Sequence, residues 1–238
     1  MKITHPLQHY THKPKKYDRG PVDIGDLVNR TASTGCVVEI PPGMHHLGTP
    51  IEIKRFNQIC IKGTGGHRGT TLIIPANRKM IGIDCRGSRE VVLENLRIME
   101  EVGARSSACV ALGGVTLRVS NCWFSNTKYG IFGSEGAGIS LHNILIEACD
   151  WGIHLQSNAV DPKIGIEKAA NIHSVVGSQI QVYNCTTGFA IKKGLRNLTK
   201  DMDFEQVSIT KCETPFINEG TNTEIKTVFQ AMPIIVDD

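Results

Sequence analysis

The chain has 238 residues, 40% of them hydrophobic and 21% charged, with a formal net charge of +3. That length suits one domain with a real core, and no apolar run approaches the roughly 18 residues of a membrane-spanning helix, so a soluble chain is expected. With 24 Gly, 10 Pro and 5% aromatics, composition argues against a helical bundle and for many short strands joined by tight turns.

The N-terminus, MKITHPLQHYTHKPKK, has no apolar stretch of the kind that opens a secretory signal. Charge concentrates there: Lys2, Lys13, Lys15, Lys16 and Arg19 stand against Asp18 alone, so residues 1–20 carry +4 and the rest of the chain is left at −1. A basic arm on a near-neutral body is not the footprint of a nucleic-acid-binding domain, but it suits an anionic partner. Lys13, Lys15, Lys16 and Arg19 are the expected partner contacts. The chain therefore divides into an arm, 1–20, and a folded body, 21–238, that ends in an apolar tail at 232–236.

Further along, His45 and His46 are adjacent. On a strand they point to opposite faces and do not share a metal ion. The Gly-rich run GTGGHRGTT lacks the GxxxxGK[ST] spacing of a phosphate loop and reads as a turn.

The cysteines carry the strongest pattern. Cys36, Cys60, Cys85 and Cys109 lie 24, 25 and 24 residues apart, and no two of the eight are closer than 13. That spacing is wrong for a zinc site and right for a repeat. Aligned on Cys122, Cys149, Cys185 and Cys212, the second half shows Leu117, Ile144, Ile180 and Val207 five residues earlier, with Val119, Ile146, Val182 and Ile209 three residues earlier. Gly130-Ile131, Gly152-Ile153 and Gly188-Phe189 follow, and Leu96 and Ile98 fit the same slots. Each unit reads as a strand with period-two alternation, a turn, and a second strand opening on Gly. Such coils cannot bury their few inward side chains alone, so they stack, and equivalent residues form ladders. A ladder cysteine serves as buried filler; neighbouring thiols also come near disulfide distance, but no cysteine has an evident low-pKa setting. The four C-terminal cysteines are expected in one column.

The stretch GCVVEIPPGMHHLGTPIEIKRFNQICIKGTGGHRGTTLII and the repeats of 91–217, of the form Ile-x-Ile-x-x-Asn, spacer, Gly-Ile-x-Leu, resemble right-handed parallel β-helices of the pectate-lyase-like superfamily. The resemblance implies an all-β, single-stranded right-handed parallel β-helix of about eight to ten coils. A short capping helix is expected at 23–30, where Ile24, Leu27 and Val28 have helical spacing, with strands at 37–40, 51–53 and 71–73. It says little about activity, because lyases, hydrolases, epimerases, phage tailspikes and non-enzymatic virion proteins share the fold.

The longest departure from the repeat lies between Cys149 and Cys185, with the excess in 156–173, and solenoid insertions often form the binding face. Asp150, Asp161 and Glu167 are the candidate catalytic carboxylates, since a glycoside hydrolase needs two about 5–9 Å apart. The clustered calcium-binding Asp residues and strand-borne Arg or Lys of the family's lyases are not found. Trp151, His154 and Tyr183 are the candidate carbohydrate contacts, although Trp123, Tyr129, Trp151 and Tyr183 sit on different coils at unequal offsets. No cofactor, metal or specific nucleic acid is expected. The leading expectation is a structural or adhesive virion protein, a tailspike-like or capsid-decorating β-helix made in the host cytoplasm. It would dock through its arm on other virion proteins or on itself as a homotrimer. The alternative is a lyase or hydrolase acting on an acidic surface polysaccharide.

Overall fold

The structure, a computed structural model, describes residues 3–6, 23–53, 57–76, 78–103, 105–166, 170–194 and 199–227, with backbone alone at 3–6, 67 and 68. Strand β1 (Ile3–Pro6) precedes helix α1 (Ile24–Thr31). The Asp23 side chain caps α1 by accepting from Gly25 N at 3.0 Å, and also accepts from Gly48 N at 2.8 Å, which ties the helix to the first coil.

The coils then follow one another. The first is β2 (Cys36–Ile40), β3 (Gly43–His46) and β4 (Ile51–Glu52). The second is β5 (Asn57–Gly63), the one-turn helix α2 (Gly66–Gly69), β6 (Thr70–Ile74) and β7 (Ile81–Asp84). The third is β8 (Arg89–Glu94), β9 (Arg97–Glu100) and β10 (Ala108–Leu112). From there a single long strand crosses two faces of each coil. The fourth is β11 (Val115–Ser125) and β12 (Tyr129–Gly133), and the fifth β13 (Gly136–Glu147) and β14 (Trp151–Leu155). The sixth is β15 (Ile172–Tyr183) and β16 (Thr187–Ile191), the seventh β17 (Lys200–Thr210) and β18 (Thr214–Asn218), and β19 (Thr221–Thr227) starts another.

All strand pairing is parallel, in two sheets: one 12-stranded sheet runs from β1 to β19, and a 7-stranded sheet stacks β4 through β18. We call these sheets A and B. This is the right-handed parallel β-helix expected from the sequence. Seven complete coils stand among the described residues, with one strand of a further coil at each end, against the eight to ten coils expected. The arm is not wholly free of the body, since Ile3–Pro6 pairs with Cys36–Glu39 and covers the first edge of sheet A.

The long strands turn a corner without breaking because the residue at that corner adopts a left-handed conformation in each coil. Asn95, Asn121, Asn143, Gln179 and Gln206 form this column, with φ from 50° to 58°. Asparagine tolerates that conformation better than most side chains. Inward residues flank the corner on both sides: Leu117 and Val119 before Asn121, Cys122 and Phe124 after it, all at most 2% exposed.

That symmetry misleads a sequence alignment. Cys122 pairs with Ile144, whereas Leu117 pairs with Ile139, so the expected four-cysteine column is wrong at Cys122. Apolar pairs recur five residues apart on either side of the corner, and aligning on cysteine slips from one face to the next. Cys149, Cys185 and Cys212 do stack, and Thr127 takes the place assigned to Cys122, its hydroxyl 3.5 Å from Cys149 Sγ and 3.4 Å from Cys109 Sγ. The Gly that opens each sheet B strand is a packing requirement. A Cβ at Gly130, Gly152 or Gly188 would lie 2.6 Å from a methyl of Ile146, Val182 or Ile209.

Candidate functional site

The insertion after β14 decides the character of one face. Residues 156–166 do not project from the solenoid; they fold back over the outer side of sheet B. Asp161 and Ile166 form an antiparallel bridge around a 3-10 turn at Pro162–Ile164. Ala159, Ile164 and Ile166 then pack on Ile81, Ala108, Ala111, Tyr129 and Phe132, with Trp151 at the margin, as a second apolar cluster outside the main core.

Polar contacts pin this loop. Asp161 Oδ2 accepts from Lys128 Nζ at 2.5 Å and from Tyr129 O–H at 3.2 Å, and Oδ1 accepts from Lys163 N at 3.0 Å. Burial alone would favour the neutral acid, but the Lys128 ammonium and the Tyr129 hydroxyl outweigh it and hold Asp161 below the ordinary carboxylate range. Burial, and then the nearby Asp161 charge, push Tyr129 well up, so it remains a donor. A second pin is the Asp84–Arg86 pair at 2.7 Å, from which Arg86 Nη2 reaches Gly165 O at 3.3 Å.

Beneath the loop, aromatic rings stack across the coils by register: Tyr129 pairs with Trp151, and Phe132 with His154. The Tyr129 and Trp151 rings are stacked at 6.5 Å, His154 lies parallel to Phe132 at 5.4 Å, and its edge meets Trp151 at 4.9 Å. His154 is 7% exposed. Burial, opposed by Gln156 at 3.3 Å, pulls its pKa down to about 4, so it is neutral at pH 7 with a buried Nδ1 that meets no partner among the described residues. The reachable part of the cluster is its rim, where Lys192 Nζ stands 5.3 Å over Trp151 and Arg105 lies 3.5 Å from Asp150.

Of the expected site residues, Asp150, Trp151, His154 and Asp161 come together on this face; Glu167 lies outside the described residues, as do Lys13, Lys15, Lys16, Arg19 and the tail at 232–236. Tyr183 is elsewhere. It stands on the outer side of sheet A, where Lys211 Nζ donates to its hydroxyl at 2.9 Å. The sequence reading missed Lys128, Arg86, Arg105 and Lys192. Lys128 and Lys192 flank Gly-opened strands in TKYGIF and TGFAIKK, and that adjacency was their only signal.

Elsewhere, a groove of about 500 Å³ lies on the outside of sheet A, lined by the row Val37, Cys60, Val92 and Arg118 with Glu90 and Thr116 beside it. His45 Nε2 meets Pro41 O at 2.9 Å and His46 lies 3.4 Å from Glu101, each with its own partner. Among the described residues, no three His, Cys, Asp or Glu side chains converge as metal ligands, and no helix is long and apolar enough to cross a membrane.

No protein-family model and no curated protein matches the chain. Among solved structures it is similar to the PL6 family alginate lyase AlyGC, at 12% identity and a TM-score of 0.44 over 95% of this chain and 39% of that one. It is also similar to the catalytic unit of a thermostable GH87 alpha-1,3-glucanase from Streptomyces thermodiastaticus, at 12% and 0.45 over 94% and 45%. A third is ORF18 of Geobacillus virus E2, at 14% and 0.35 over 97% and 62%. The chain thus spans less than half the length of the lyase and the glucanase. At these identities the likeness concerns the fold alone.

Proposed function

We propose that the chain is a structural or adhesive virion protein, a β-helical rod that docks on a larger assembly through its basic N-terminal residues. The observation that carries this reading is the closed outer face of sheet B. The insertion best placed to form a catalytic loop is spent on packing, with Ile164 and Ile166 at 1% and 0% exposed, and its carboxylate Asp161 is held by Lys128 and Tyr129. A charged, ion-paired Asp161 is poorly suited to donate a proton to a leaving group. The arm supplies the attraction: with Lys13, Lys15, Lys16 and Arg19, residues 1–20 sum to +4 beside a body that sums to −1.

The test is attachment. Replacing Lys13, Lys15, Lys16 and Arg19 by Ala keeps the Ile3–Pro6 strand and should abolish co-sedimentation with particles while the β-helix stays folded. Equal attachment by this variant would move the docking surface to the coils. Sedimentation analysis of the isolated chain checks the homotrimer, and a lone monomer at micromolar concentration overturns it.

A second reading, a carbohydrate-active enzyme acting on an acidic polysaccharide, is favoured by the rim of Trp151, Lys192, Arg105 and Asp150, where an aromatic face and cations adjoin a carboxylate. Release of new chain ends from acidic polysaccharides, lost in Asp150→Asn, would establish it in place of the first.

A further inference from the structure

We propose that Cys185 and Cys212 are a redox-active dithiol that closes into a disulfide between the sixth and seventh coils when a peroxide reaches the end of the solenoid.

The ladder brings the two thiols together. Tyr183 and Thr210 are register partners on β15 and β17, and each is followed two residues later by a cysteine. The coils stay in step through the turn: Asn184 N donates to Thr210 O at 3.1 Å, and Glu213 N to Cys185 O at 3.3 Å. Each thiol also donates to the carbonyl two residues back, Cys185 to Tyr183 at 3.5 Å and Cys212 to Thr210 at 3.4 Å, so both sulfurs have the same orientation. Equivalent residues on neighbouring parallel strands lie about 4.8 Å apart, inside the Cα separation that disulfides span. Both cysteines are free thiols here.

Position separates this pair from the rest of the column. Cys149 and Cys185 are buried, whereas Cys212 is half-exposed, in the turn before β18, which ends sheet B among the described residues. The neighbouring Cys185 thiol, against the smaller effect of burial, draws Cys212 down to about 7. Cys212 is therefore the accessible, partly ionised member, and Cys185, whose pKa is raised by Cys149 first and then by Cys212 and burial, is the resolving one.

The chemistry balances. Cys212 thiolate attacks one peroxide oxygen; an S–O bond forms, the O–O bond breaks, and hydroxide leaves and takes a proton to become water. Cys185 sulfur then attacks Cys212 sulfur; the S–S bond forms, the S–O bond breaks, and a second water carries off the Cys185 proton. Two electrons pass from the two thiols to the peroxide.

Oxidation of the full chain by graded hydrogen peroxide, followed by alkylation and peptide mapping, tests the assignment. The expected result is loss of two of the eight titratable thiols, a linked peptide pair containing Cys185 and Cys212, and full reversal by a reductant. The rate should rise as pH climbs through about 7. Cys212→Ser should abolish the link, and Cys60→Ser, at a half-exposed cysteine outside the column, should leave it intact. A linked Cys149–Cys185 pair, a Cys212 sulfinic acid with Cys185 still alkylatable, or no thiol loss each overturns the proposal. If Cys212→Ser does not fold, the map of the unaltered chain decides.

Discussion

The outer sides of sheets A and B are built on the same coils and end up in opposite environments. Strand β2 alternates between buried and half-buried residues, as a sheet with one wet face should. Strands β10, β12 and β16 are buried at every position. The interior does not account for this, because Val110, Ile131 and Phe189 join the same core as Val119 and Ile146. For β10 and β12 the insertion does, by laying Ala159, Ile164 and Ile166 over outward-facing Ala108, Ala111, Tyr129 and Phe132. One loop thus converts a solvated face into a second core, and the cost is a buried imidazole and buried carboxylates that must be satisfied there.

The largest expected effect belongs to the core that both sheets share. Ile146 is fully buried at the inner side of β13. Ile146→Asp should lose about 3–5 kcal/mol, since it places an unpaired carboxylate among methyl groups. Gln181→Asp, on the exposed outer side of β15, should change stability by less than about 0.5 kcal/mol. Urea denaturation of the two variants checks the contrast, and equal losses would mean the inside and outside of sheet A are misassigned.

The covered face should add a pH dependence that the open face lacks. His154 has its pKa lowered to about 4 in the folded chain, below the ordinary value of about 6.5. Between these values the unfolded chain binds the extra proton, so stability is fully present above pH 6.5 and falls as pH drops toward 4. The upper limit is about 3 kcal/mol. His154→Phe, which keeps the stack on Phe132, should flatten the denaturation midpoint across that window.

Most of the fold could be read because its determinants are local. The apolar pairs, the corner asparagines and the Gly-Ile openings are each set by neighbours one coil away, which recur in the sequence. Cys122 shows where this fails: the two inward pairs of a coil are chemically alike, and only the register between coils separates them. The site was less legible because its partners are remote. Asp161 was singled out as a carboxylate, yet its role follows from Lys128, 33 residues earlier, and Arg86 reaches Gly165 across 79. Nothing in the local pattern encodes those pairings.

The Asp161 pin sharpens the comparison at a smaller scale. Asp161→Asn keeps the shape and removes the charge that Lys128 meets at 2.5 Å, at a cost of about 1–2 kcal/mol. That loss should appear locally, as faster hydrogen exchange at 159–166, with little change in sheet A. Because the folded carboxyl titrates below its ordinary value, the pin is present above roughly pH 4 and is lost as pH falls through the folded value. Loop protection in the unaltered chain should therefore drop in acid, below the window assigned to His154, and be insensitive there in Asp161→Asn.

The smallest effect concerns the corners, which belong to sheet A alone. Asn143 holds φ at 50° and donates from Nδ2 to Asn121 Oδ1 at 2.9 Å, one coil below. Its side chain is exposed, so burial contributes little to its role. A β-branched residue is strained in this conformation, and Asn143→Val should cost about 1 kcal/mol, with loss of the amide bridge included. Asn143→Gly also loses the bridge but relaxes the backbone, and the two changes should nearly cancel. Denaturation midpoints that fall equally in both variants would assign the corner's stability to the asparagine ladder. A loss confined to Val assigns it to backbone conformation, which is the expected result and would explain why Gln179 and Gln206 serve at the same corner in the next coils.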